Sequence, residues 1–181
     1  MSKKNKFYWL EAVTEKGTRA LLTEENSKFA WLRSQRNRRI LVVVELLGIA
    51  MIAMGSYYPT IKTNLNLTED LDLVVFASAA ALTVVLVLGG YSFLRVAVRG
   101  IADAPDELLD ERQIKIRNTS FRYAYLAIGY LLIAVLMLMF FGPELQLFQA
   151  EGNDGSYLMV ATLFAFATAP SMILAWREKD I

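Results

Sequence analysis

The chain has 181 residues, of which 55% are hydrophobic, and its 19 lysines and arginines nearly balance its 18 aspartates and glutamates, leaving a formal net charge of +1. It contains neither cysteine nor histidine, which excludes disulfide bonds, thiolate metal sites, cysteine nucleophiles and histidine-based acid–base catalysis. The balanced charge also argues against a nucleic-acid partner, because nucleic-acid-binding proteins usually present a strongly basic face.

Four long stretches of the chain are almost free of charge. Residues 73–94, 123–143 and 155–176 carry no charged side chain, and residues 40–61 carry only Glu45. Each stretch reaches the roughly 20 residues that a helix needs to cross a bilayer. A soluble bundle with buried helices is disfavoured, because these stretches lack the polar face of a soluble helix. The sequence predicts an all-α, polytopic integral membrane four-helix bundle with a cytoplasmic N-terminal amphipathic segment.

Lysines and arginines set the predicted orientation. All of them except Lys62 lie in residues 1–39, 95–122 and 177–181, and such residues concentrate in cytoplasmic segments. We therefore expect a multi-pass protein of the cell (inner) membrane with both termini cytoplasmic. No cleavable signal peptide is expected, because the first apolar run starts only near residue 40. The predicted order is a cytoplasmic N-terminal arm at 1–39, spans at 40–61, 73–94, 123–141 and 157–176, external loops at 62–72 and 142–156, a cytoplasmic loop and helix at 95–122, and a cytoplasmic tail at 177–181.

The N-terminal arm mixes aromatic and charged residues. A helix is predicted to begin near Thr23, with Glu24 and Glu25 in its first turn, and to run into the first span. One interpretation is a juxtamembrane helix with basic residues at anionic lipid headgroups, namely Arg33, Arg36, Arg38 and Arg39. The alternatives are a disordered arm, or a docking arm that brings three aromatic residues to a partner protein, namely Phe7, Tyr8 and Trp9.

Glu45 is the unusual residue of the first span, because a charge at the bilayer centre costs roughly 2.5–3.5 kcal/mol. It lies about six residues, or about 9 Å, inside the cytoplasmic end of the span. The favoured interpretation is a structural ion pair with a basic residue at the end of a neighbouring span, the candidates being Arg95, Arg99 and Arg122. The alternatives are a proton- or cation-coupled carboxylate, as in the small multidrug transporters that this chain otherwise resembles poorly, and a carboxylate that pairs with another subunit.

Residues 95–122 form the most patterned polar segment. Asp103 is predicted to cap a helix that begins near Pro105 and runs unbroken into the third span. Glu111 and Lys115 are spaced as a favourable ion pair on one helix face. The segment is either a solvated helix extension or a recognition surface, whose contacts to a neighbouring subunit would come from Asp110, Glu111 and Arg112.

The string LLDERQIKIRNTSFRYAY, residues 108–125, resembles the cytoplasmic loop of uncharacterised small bacterial four-span membrane proteins. Those proteins share an Asp-Glu-Arg motif ahead of a span that is entered through arginine and aromatic residues. The resemblance implies a bacterial inner-membrane protein and family-like positions at Asp110, Glu111 and Arg112. It implies no activity.

Small residues mark the predicted helix contacts, because they let two helices approach closely in a membrane. They are Gly48 in the first span, Ala77 and Ala81 in the second, and Ala161, Ala165 and Ala169 in the fourth. Packing within one bundle explains such stripes, and the alternative is association with a second copy or with a different subunit.

Three functions remain open from the sequence. The favoured hypothesis is a non-catalytic accessory or scaffold subunit, without cofactor, of a respiratory, transport or envelope-related membrane complex. The second is a small proton- or cation-coupled transporter that uses Glu45. The third is a lipid-modifying enzyme that holds a divalent metal with acidic residues of the middle loop, namely Asp103, Asp106, Asp110 and Glu111.

Overall fold

The computed structural model describes residues 18, 22, 30–142, 144 and 154–178. Within these residues every regular element is a helix, as the sequence predicts. The predictions for Phe7, Tyr8 and Trp9, and for a helix start near Thr23, lie outside the described residues.

Six α-helices and several short helical segments make up the described chain. The α-helices are α1 (Gln35–Met54), α2 (Tyr58–Asn64), α3 (Glu69–Val84), α4 (Gly90–Ala97), α5 (Glu111–Phe141) and α6 (Asp154–Arg177). The short segments are 3₁₀ turns at Ala30–Arg33, Gly55–Tyr57 and Asp106–Leu108, and a π-helical segment at Val85–Gly89 that joins α3 to α4. Four helical stretches are long and apolar enough to cross a membrane, namely Gln35–Tyr57, Glu69–Ala97, Glu111–Phe141 and Gly155–Arg177.

The contacts divide the chain into two compact units. The arginine-rich unit contains Met1–Val43, Gly90–Ala124 and Pro170–Ile181, and every arginine among the described residues belongs to it. The apolar unit contains Val44–Gly89 and Tyr125–Ala169.

The helix that enters the first span begins at Gln35 and does not run unbroken from the N-terminal arm. The 3₁₀ turn Ala30–Arg33 and the bend at Ser34 precede it. The Ser34 hydroxyl accepts a hydrogen bond from the backbone N–H of Asn37 at 3.3 Å, which is the contact of a serine N-cap. The predicted continuous helix is therefore wrong at this point.

Asp110, and not Asp103, caps α5. Asp110 Oδ1 accepts a hydrogen bond from the N–H of Gln113 at 2.7 Å, and Gln113 Oε1 accepts one from the N–H of Asp110 at 3.2 Å. These two bonds form a reciprocal capping box. The predicted start near Pro105 is wrong, because Pro105 and Leu109 have extended backbone, with ψ angles of 154° and 146°.

A tight turn ends α4. The N–H of Gly100 donates to the Arg95 carbonyl at 2.9 Å and the N–H of Arg99 donates to the Val96 carbonyl at 3.1 Å, which is the Schellman pattern. Arg99 has a positive φ of 55°, at the position that glycine usually occupies. The turn continues as a packed segment whose buried residues are Val98, Ile101, Ala102 and Ala104.

Candidate functional site

Glu45 lies on the buried face of α1, and no part of its surface is exposed. Two more buried residues follow it in α1, namely Gly48 and Ile49, and Ser56 is buried in the 3₁₀ turn after α1. Neither Oε1 nor Oε2 of Glu45 accepts a hydrogen bond from any described residue. A carboxyl group in this position is unusual, because buried polar groups normally have a hydrogen-bond partner.

The π-helical segment packs directly against α1, one turn beyond Glu45. A methyl group at Gly48 would lie 2.8 Å from Val87 Cγ2, 3.2 Å from the Val87 backbone nitrogen and 3.2 Å from Leu86 Cβ. Glycine is therefore what allows this close approach. A π-helical turn inserts an extra residue into a helix, and such turns are frequent at functional sites. Sequence reasoning identified Gly48 as a packing residue but missed the π-helical segment.

A second close contact lies in the 3₁₀ turn that follows α1. A methyl group at Gly55 would come within 2.6 Å of the Tyr157 ring, at Cδ1. In the same unit the alanine stripe of α6 is buried, as close packing requires: Ala161, Ala165 and Ala169 are each 9% exposed or less.

A polar cluster ties α2 to the start of α3. The Tyr58 hydroxyl donates to Asp72 Oδ1 at 2.5 Å, and Lys62 Nζ lies 2.5 Å from Asp72 Oδ2. Tyr58 follows the last residue of the first candidate span, and its hydrogen bond to the Asp72 carboxylate raises the pKa of Tyr58 to about 12. The phenol therefore keeps its proton and remains a donor. The Tyr58 ring also meets the Phe76 ring edge-on, with centroids 5.2 Å apart.

Arg38 is fully buried, with 0% of its surface exposed. Its Nη2 donates to the backbone carbonyl of Glu178 at 2.6 Å, just after the last residue of α6. A cation at a helix C-terminus is favourable because the carbonyls there carry partial negative charge. The predicted headgroup contact is therefore wrong for Arg38, because a lipid headgroup cannot reach a fully buried side chain.

The other basic residues of the predicted headgroup set remain at least partly exposed. Arg33 is half-buried, and Arg36 and Arg39 are exposed. Arg39 stacks over the Trp176 ring at 5.2 Å from its centroid. For these three arginines the headgroup contact stays a prediction.

Two acidic residues of the middle loop are paired with arginines of their own unit. Arg95 Nε lies 2.8 Å from Asp103 Oδ2, and Arg117 bonds to the Asp106 carboxylate and, at 2.5 Å, to the Ala104 carbonyl. With Asp110 acting as a helix cap, these acids have separate structural roles. Among the described residues no group of three acids is placed to hold a metal ion, and the metal-dependent enzyme stays a hypothesis.

The predicted ion pair of Glu45 stays a prediction. Glu45 belongs to the apolar unit, whereas Arg95, Arg99 and Arg122 belong to the arginine-rich unit. Arg95 already has a carboxylate neighbour in Asp103.

The predicted recognition surface lies at the start of α5. Glu111 and Arg112 are exposed and available for contact, whereas the backbone N–H and Oδ1 of Asp110 are engaged in its capping box. One face of this helix borders an open groove of about 510 Å³. Its lining residues are Glu111, Ile114, Lys115, Asn118, Thr119 and Arg122.

The small residues of α3 lie on the outside of the apolar unit. Ala77 and Ala81 share one helix face, and both are exposed, together with the residues between them. In the span that contains α3, only 6% of the most apolar window is buried. Sequence reasoning placed a helix contact here, and the described chain does not supply one.

Comparison of the chain with protein-family models, with curated proteins and with solved structures finds no match. The site is therefore interpreted from its own residues.

Proposed function

We propose that this protein is a non-catalytic accessory or scaffold subunit that binds a larger membrane complex through the outward face of α3, defined by Ala77 and Ala81. The exposure of these two alanines is the observation that carries the proposal. Small residues are enriched where membrane helices pack together, since they allow close backbone approach and van der Waals contact.

The exposed surface of α5 provides the contrast. Its outward residues are bulky, and examples are Tyr130, Ile133, Leu136 and Phe140. Bulky apolar residues suit contact with lipid tails. The exposed residues of α3 include bulky ones such as Leu73 and Leu82, but the stretch from Ala77 to Ala81 consists of small residues only, and such a stretch gains more from contact with another helix. This difference supports a protein partner at α3 in particular.

The subunit is proposed to lie in a bacterial inner membrane, with both termini cytoplasmic. The support is the distribution of basic residues, of which only Lys62 lies between two spans on the opposite side. The resemblance of residues 108–125 to bacterial four-span proteins supports the same location. The host complex would be respiratory, transport or envelope-related.

The experiment is native purification from its own membrane in a mild detergent. We expect larger membrane subunits to co-purify at fixed stoichiometry with the unaltered chain. Replacing both Ala77 and Ala81 with Leu should abolish co-purification, because two isobutyl side chains in place of methyl groups prevent close helix approach. The matched control is Ile133→Leu on the exposed surface of α5, which should leave co-purification unchanged. A clean monomer or homodimer from the unaltered chain would contradict the proposal.

A second candidate function is a small proton- or cation-coupled transporter. The observation that favours it is Glu45, which is fully buried without a hydrogen bond from the described residues. Ionisable residues inside membrane helices commonly mark ion or proton pathways. Proton flux into vesicles that contain the purified chain, abolished by Glu45→Gln with folding intact, is the result that this candidate requires.

A further inference from the structure

The starting observation is the isolation of the Glu45 carboxyl group. It is 0% exposed, and neither oxygen accepts a hydrogen bond from a described residue. An ionised carboxylate in such a place is strongly unfavourable unless it is paired or hydrated. A neutral carboxylic acid avoids most of that cost.

The contact between α1 and the π-helical segment closes this part of the apolar unit. At Gly48, one turn beyond Glu45, the two elements leave no room for a methyl group, since it would lie 2.8 Å from Val87 Cγ2. Water can therefore reach the carboxyl from this side only if Gly48 and Val87 separate. Ionisation of Glu45, which needs water, is thereby linked to helix packing.

Few charged groups belong to α1, to the π-helical segment or to the rest of the apolar unit, and the arginines named above as candidate partners of Glu45 belong to the arginine-rich unit. The π-helical segment Val85–Gly89 has no titratable side chain. Along α1 the nearest charged residues are Arg38 and Arg39, which engage the Glu178 carbonyl and the Trp176 ring. The other titratable residues described in the apolar unit are Lys62, Glu69, Asp70, Asp72, Glu144 and Asp154, all beyond or near helix ends, and the tyrosines Tyr57, Tyr58, Tyr125, Tyr130 and Tyr157.

We propose that Glu45 is a reversible proton-binding site, and that loss of its proton opens the contact between Gly48 and Val87. The ligand is a single proton. Binding forms the O–H bond of a neutral carboxylic acid, and release returns the proton to water and leaves a carboxylate. The protein then has a tightly packed protonated state and a looser, hydrated ionised state.

This inference shares its residue with the transporter candidate but does not require flux. A proton can bind and leave from one side of the membrane without crossing it. The inference is also independent of any partner at α3, so proton binding, proton flux and subunit binding can fail separately.

The first test is infrared spectroscopy of the full chain in lipid vesicles, titrated with pH and compared with Glu45→Gln. We expect a carboxylic-acid C=O band at low and neutral pH that is missing from the Glu45→Gln spectrum and disappears reversibly as pH rises. If the carboxylate is ionised at every pH at which the protein is folded, the band is absent and the ion pair with Arg95, Arg99 or Arg122 is the correct account. If the band persists unchanged to alkaline pH, Glu45 binds its proton permanently and the proposal is wrong.

The second test follows the packing change with a single cysteine, since the chain has none of its own. Val87→Cys replaces the two γ-methyl groups with one sulfur atom, and its labelling rate with a small water-soluble thiol reagent is compared with that of Val87→Cys combined with Glu45→Gln. Both proteins share the intrinsic pH dependence of the thiol, so the ratio of the two labelling rates reports only the effect of the Glu45 carboxyl group. Over two pH units centred on the infrared midpoint, the ionised fraction rises about tenfold, and the rate ratio should rise about tenfold with it. A rate ratio that stays constant across this pH range would overturn the proposed coupling between Glu45 ionisation and helix packing. If Val87→Cys fails to fold, the infrared titration still decides whether Glu45 binds a proton, because it needs no cysteine.

Discussion

Gly48→Ala probes the helix contact on which the site depends. The new methyl group would lie 2.8 Å from Val87 Cγ2 and 3.2 Å from the Val87 backbone nitrogen. Carbon atoms in contact normally lie about 3.5–4.0 Å apart, so α1 and the π-helical segment must separate or Val87 must leave its rotamer. The matched control is Gly129→Ala in α5, where an added methyl group has no neighbour within 4 Å.

The magnitude follows from the difference between the two variants. Replacing glycine with alanine inside a helix stabilises it by roughly 0.5–1 kcal/mol, and this gain is common to both positions. Forcing a methyl group into a packed contact costs typically about 1–3 kcal/mol, and this cost applies only at Gly48. We therefore expect the free energy of unfolding of Gly48→Ala to be about 1–3 kcal/mol lower than that of Gly129→Ala.

The assay is reversible unfolding in mixed micelles by a denaturing detergent, followed by helix content. Gly129→Ala should unfold at the same or a higher detergent fraction than the unaltered chain, and Gly48→Ala at a lower fraction than Gly129→Ala. Equal midpoints for the two variants would refute the close contact of Gly48 with Val87.

Three further variants test local features with the same unfolding assay. Arg99→Gly should stabilise the chain by about 1 kcal/mol, because it removes a side chain from a left-handed backbone position. A clear loss of stability would instead indicate that the Arg99 guanidinium makes a stabilising contact with a buried group. Asp110→Ala should lower the free energy of unfolding by about 1 kcal/mol through loss of the helix cap, whereas Asp110→Asn should retain most of it, and equal effects of the two would contradict the capping box with Gln113. Asp72→Asn should lower the unfolding midpoint more than Asp70→Asn, since Asp72 is bonded to two side chains; identical midpoints would show that the cluster adds no stability.

The long helices could be predicted because uncharged stretches of about 20 residues have few other structural solutions. The sequence also contains a signal for the capping box, since Asp110 and Gln113 have the Asp-x-x-Gln spacing that precedes a helix. Pro105, five residues before Asp110, favoured an earlier start of this helix. By contrast, the Schellman turn was hidden because Arg99 stands where glycine is usual. The burial of Arg38 was hidden as well, since its partner is a backbone carbonyl about 140 residues away, and backbone carbonyls carry no signature in a sequence.

Only part of the site around Glu45 could be predicted from the sequence. A lone acid in an apolar stretch and a glycine three residues later are sequence signals, and both residues are buried. The π-helical segment that packs against Gly48 has no such signal, because Val85–Gly89 has the sequence of an ordinary apolar helix. The exposure of the small-residue face of α3 depends on which helices pack together, and that is a property of the tertiary structure.

The measurement that tests the proposed function most directly is photocrosslinking in native membranes. A photoreactive side chain is placed at Ala81 on the outward face of α3, and in a control protein at Ile133 on α5, which is 55% exposed. The proposal predicts one discrete adduct with a different membrane protein from position 81, and only lipid adducts from position 133. Lipid adducts alone from both positions, or an adduct of position 81 with a second copy of this chain, would contradict it.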